Sequence, residues 1–189
     1  MMQHNEQHEV EAKTLFGFWL FILSDVVMFS VMFATYAVLL PGKAGGIGPG
    51  ELLSLPRALG ETLLLLVSSF TCGLCQCLRQ SRVLTLLAIT FVLGALFFSA
   101  VLGDFMHLVQ NGNSWERSAF LSSYFLLVGT LLAHVAFGLL WMLVLIGQIW
   151  KKGMVASTQR RFLCLKMFWP FLNIVWVGVY SWIYLGGAI

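Results

Sequence analysis

Asp25, Glu61, His134 and Asn173 are polar side chains set inside long apolar segments. Asp25 stands in LFILSDVVMFS and Glu61 in LGETLLLLVSSF. Such residues carry one of two chemistries. In a functional role they pass protons or ions; in a structural role they hydrogen-bond between helices, fix packing or contact a lipid headgroup. An isolated Asp at the centre of a helix in hydrocarbon costs about 2.5–3.5 kcal/mol on insertion scales, so it requires a partner, a water or a proton. A proton path needs a continuous relay. These four residues are isolated from one another along the chain, which favours the structural role.

Histidines within apolar helices can also ligate haem or copper. His4 and His8 lie in the N-terminal stretch, leaving His107 and His134. A haem held by two histidines needs both at similar depth on facing helices. His107 falls at the far end of its helix, so the pair supports intrinsic haem or copper only thinly, and no metal ligand is assigned. Cys72, Cys75 and Cys77 form CGLCQC, with Cys164 elsewhere. No His or acidic residue accompanies them, and they fall at a helix end on the reducing side expected below. They read as small apolar helix residues.

The elements that position these residues follow from composition. The chain is 59% hydrophobic and 10% charged, with a mean hydropathy of +0.88. A water-soluble domain carries about a quarter charged residues, so the solvent of this surface must be mostly lipid. The net charge of +3 does not imply nucleic acid, because the basic residues sit in short loops.

A bilayer span needs roughly 20 apolar residues. Five segments qualify, near 15–40, 58–78, 83–108, 119–150 and 162–187. The short alternating segments of a β-barrel are absent. The fold class is therefore all-α integral membrane, with a polar tail at 1–14 and one five-helix domain over 15–189. The tail carries Glu6, Glu9 and Glu11 and lacks the basic start of a secretory signal, so the first span is read as retained. No internal repeat weighs for an inverted-repeat transporter.

One loop face holds Lys13, Arg79, Arg82, Lys151, Lys152, Arg160 and Arg161; the other holds Lys43, Arg57 and Arg117. The basic-inside bias then puts the N-terminus in the cytoplasm and the C-terminus in the periplasm. Counting about 1.5 Å per residue from the cytoplasmic ends sets Asp25 at about 15 Å, Asn173 at about 18 Å, His134 at about 25 Å and Glu61 at about 27 Å. On that count Asn173 is the match in depth to Asp25, and Glu61 meets His134 if helices 2 and 4 touch. Gly129 with Ala133, and Gly129, Gly138 and Gly147 together, mark close approach along helix 4. Trp115, Trp150, Trp169, Trp182 and Tyr184 lie towards span ends, as an aromatic belt would.

The stretch GFWLFILSDVVMFSVMFATYAVL closely resembles the first helix of the short form of the haem–copper oxidase subunit III family. The likeness is best to its cytochrome o ubiquinol oxidase branch. It continues through AGGIGPGELLSLPRALGETLLLLVSSFTCG, DFMHLVQNG, RSAFLSSYFLLVGT, HVAFGLLWM and FWPFLNIVWVGVYSWIYLGG, covering nearly the whole chain in order. The resemblance implies an accessory, non-redox bundle beside the catalytic subunit of a proton-pumping quinol oxidase in a bacterial cytoplasmic (inner) membrane. No catalytic residue, haem or copper is expected in this chain. The implied partners are a subunit I holding haem and copper, a subunit II, a small subunit IV and membrane phospholipid. Ubiquinol would be handled by the partners.

Within the resemblance, Glu61 matches an intramembrane glutamate of helix 2, Asp25 stands at the acidic position of the first-helix motif, and His134 matches the second His of a helix 4 pattern. Several polar positions of the family are replaced: Leu131 and Leu132 stand for a His–Gly, Val101 for a Glu, Met106 for a His, and Pro170 and Asn173 for the His and Asp of helix 5. Asp104 keeps the second acid of helix 3. Pro170 lacks an N–H, so helix 5 is expected to bend or loosen near its first third. Three other readings remain: the related subunit of a cytochrome c oxidase or nitric oxide reductase, a small proton or solute transporter using Asp25 and Glu61, and an independent membrane cytochrome using His107 and His134.

Overall fold

Helices dominate because every backbone polar group inside a bilayer must be satisfied within its own segment. A computed structural model describes residues 2–42, 55–75 and 80–185. Lys43, Arg79, Cys77 and nearly all of the Gly/Pro-rich loop fall outside the described residues. The described elements are α1 (Met2–Leu39), α2 (Leu55–Leu74), α3 (Gln80–Gln110), α4 (Ala119–Lys152) and α5 (Ala156–Val179). A π-helical turn over Tyr180–Leu185 continues α5. Five helices are long and apolar enough to cross a membrane, and no strand occurs among the described residues.

The helix ends have local causes. Gly112, at φ 75°, ends α3 in a left-handed turn that a side chain would strain. There the N–H of Asn113 donates to the carbonyl of Leu108 at 3.0 Å. Ser118 starts α4 as its N-cap, accepting from the N–H of Leu121 at 3.1 Å. Gly153, at φ 69°, closes α4 and donates its N–H to Ile149. At the N-terminus, α1 already runs from Met2, so the polar stretch continues the first helix. It is braced by Lys13 against Glu9 at 3.3 Å, one turn apart.

α2, α3, α4 and α5 close a ring, each packing on the next and α5 returning to α2. α1 lies outside that ring against α4 and α5. The ring is locked by Trp169, which is fully buried. Its indole fills the space left by two glycines. A Cβ on Gly94 of α3 would meet the ring at 2.7 Å, and one on Gly138 of α4 at 2.9 Å. The indole N–H donates to Ser68 Oγ of α2 at 3.0 Å. Ser68 in turn donates to the Thr90 carbonyl of α3 at 3.1 Å. One side chain of α5 therefore fixes its three ring neighbours.

Trp169 and Tyr184 are thus core residues, a correction to their reading as members of an aromatic belt. Trp115, Trp150 and Trp182 are exposed. Of the three marked glycines of α4, only Gly138 is seated against a neighbour this closely. Gly129 has Phe105 at an ordinary 3.8 Å, and Gly147 has open space. The helix runs unbroken through Pro170.

Candidate functional site

Two buried acid centres occupy different levels of the bundle. The first lies mid-helix, where α1 meets α4. Asp25 of α1 is 7% exposed and its Oδ2 lies 3.8 Å from Nε2 of His134 on α4. His134 Nδ1 donates to the Thr130 carbonyl at 2.8 Å, because a carbonyl can only accept. That fixes one imidazole proton. Its Nε2 faces the carboxyl, whose Oδ2 has no hydrogen-bond partner among the described residues. Phe29, Phe168 and Phe171 surround it: Phe29 stacks edge-on to His134 at 5.4 Å and to Phe171 at 6.2 Å, and Phe168 lies 6.4 Å from the imidazole.

The second centre lies where α2 begins and α3 ends. Arg57 Nη1 donates to Asp104 Oδ1 at 3.1 Å. Glu61, one turn further along α2 and 3% exposed, lies within electrostatic reach of both. Neither oxygen of Glu61, nor Oδ2 of Asp104, has a hydrogen-bond partner among the described residues. Tyr124 of α4 and Tyr184 after α5 join hydroxyls at 3.1 Å nearby, and both feel Glu61 and Asp104. Tyr36 of α1 packs against Phe120 at 5.5 Å between ring centroids, and its buried hydroxyl also lacks a partner among the described residues.

Sequence reasoning placed Asp25, Glu61, His134 and Asn173 correctly within helices but paired them by depth, and the pairing is corrected here. Asp25 meets His134 rather than Asn173. Glu61 meets Asp104 and Arg57 rather than His134, because α2 packs on α3 and α5 while α4 is not among its main neighbours. Depth counting failed because α4, at 34 residues, is about 51 Å long against a hydrocarbon thickness of about 30 Å. Its ends do not mark the membrane surfaces. Asn173 is partly exposed on α5, and its Oδ1 lacks a partner among the described residues.

Arg57, Asp104 and Tyr124 were not singled out as members of a site. Arg57 had served only as a loop charge, although an arginine about one turn before a buried acid on the same helix face was a readable signal. His107 is exposed and lies against Asn111 at the end of α3. No three His, Cys, Asp or Glu side chains cluster as a metal site requires among the described residues. Cys72, Cys75 and Cys164 are buried and unbridged.

No protein-family model matches the chain. It is 45% identical over 190 residues to a cytochrome bo(3) ubiquinol oxidase subunit 3 of Pseudomonas aeruginosa, covering 98% of this chain and 91% of that relative. The protein of the same name from Pseudomonas putida is 40% identical, with 96% and 90% covered. A cytochrome c oxidase subunit 3 from a Bacillus species is 35% identical, with 95% and 89% covered. With identity sustained from end to end at this level, the chain belongs to the haem–copper oxidase subunit III family, in its quinol-oxidase branch.

Proposed function

We propose that this chain is the accessory, non-redox subunit III of a proton-pumping ubiquinol oxidase in the aerobic respiratory chain of a bacterial inner membrane. The observation that carries the reading is the near-full-length likeness to quinol-oxidase subunits, reaching 45% identity against 35% for the cytochrome c oxidase subunit. Electrons pass from ubiquinol to oxygen within partner subunits, the haem–copper subunit I foremost, with subunit II and a small subunit IV completing the complex. This chain contributes packing surface, stability and lipid contact. Its N-terminus lies in the cytoplasm and its C-terminus in the periplasm, on the basic-residue bias of the loops.

The interior supports a supporting role. Among the described residues its buried acids form two separate centres at different levels of the bundle, and the ring is locked by packing around Trp169. For lipid, a groove of about 500 Å³ opens between α1 and α5, walled by Trp19, Phe29, Phe33, Phe171 and Ile174. Lys166 stands in its lining. The groove takes an acyl chain, with the headgroup phosphate at Lys166.

Deleting the chain tests the role. The remaining oxidase should keep its haem spectrum and its initial turnover per haem, while yield and lifetime during turnover fall. Unchanged assembly, yield and lifetime would overturn the reading.

A further inference from the structure

We infer that Glu61 and Asp104 together form a buried binding site for one exchangeable proton, held between the two carboxyls where α2 meets α3. The starting point is a charge count. Among the described residues, two buried carboxyls lie within electrostatic reach of each other with a single cation, Arg57, beside them, 3.1 Å from Asp104. Among the described residues, α2 brings Arg57 and Glu61 to the centre, α3 brings Asp104, α4 brings Tyr124, and the turn after α5 brings Tyr184. The tyrosines are neutral donors. With both acids ionised the centre would hold one uncompensated negative charge out of water, which is costly at this depth of burial.

Three carboxyl oxygens and the Tyr36 hydroxyl lack a hydrogen-bond partner among the described residues. A proton between the carboxyls removes the excess charge and turns one acceptor into a donor. A metal ion answers the count less well, since two carboxyls fall short of the six or more oxygens that hard cations gather. Arg57, whose side chain is 59% exposed, sets one edge of the centre at the bundle surface, the side from which water exchanges the proton. The inference stands independently of the oxidase reading.

Infrared difference spectroscopy of the chain, purified in the membrane complex in which it resides, tests the site in H2O and D2O. Wild type should show a protonated-carboxyl C=O band that shifts in D2O. Either Glu61→Gln or Asp104→Asn alone should remove one carboxyl equivalent of that band per chain, because Arg57 then neutralises the acid that remains. Arg57→Gln should instead add one. A band undiminished in either acid variant overturns the inference. So does its loss from wild type when sodium or calcium is raised at fixed pH, which would mark a cation site.

Discussion

At 3.8 Å, Asp25 and His134 are too far apart to close a hydrogen bond, yet removing either leaves the other facing aromatic rings and hydrocarbon. Their interaction should therefore be measurable and modest. A double-mutant cycle of Asp25→Asn and His134→Gln, read by denaturation of the purified complex, should give a favourable coupling of about 0.5–1 kcal/mol. Zero coupling would show that the two merely neighbour each other. Asp25 was legible as an unusual residue from its sequence surroundings alone. Its partner was not, because pairing depends on the stagger of α1 against α4, and residue counts along overlong helices do not carry that. The second centre was half legible. Glu61 stood out and Asp104 was noted only as a retained acid of helix 3, while Arg57 looked like an ordinary loop charge.

Among the elements, α5 holds the ring together through Trp169, so the glycines that seat it should be the intolerant positions. Gly138→Ala and Gly94→Ala each drive a methyl to within 3 Å of the indole. Each should destabilise the subunit by about 1–3 kcal/mol, as overpacking does. Gly147→Ala, with open space around it, should be neutral or slightly stabilising through helix propensity. Thermal release of this chain from its complex reads all three. Equal effects at the three positions would refute the seat. The helices themselves were plain in the apolar runs, but their extents were not. The first reaches back to Met2 and the fourth to Lys152, because polar residues outside the hydrocarbon can continue a helix that hydropathy no longer marks. Trp169 was misplaced for a related reason: position near a span end does not say which face of the helix a side chain takes. The groove between α1 and α5 carries its own test. Lys166→Gln should lower the phospholipid retained per complex in native mass spectrometry, and unchanged retention would remove lipid from that groove.

For the whole molecule, five spans place the ends of α1 and α5 on opposite faces, and the proposed orientation rests on the loop charges. A reporter fused to the C-terminus should be active only in the periplasm; cytoplasmic activity would invert the orientation. The family was legible in the sequence because its motifs run in order through nearly every helix. What the chain does alone was not, because the role proposed for it is exercised only within a complex. The most direct measurement is therefore purification of this chain from its native membrane, with every co-purifying chain identified. The account predicts a haem-bearing large subunit at fixed ratio and ubiquinol-dependent oxygen consumption in the same fraction. A chain that purifies alone, without haem spectrum or oxidase activity, would contradict it.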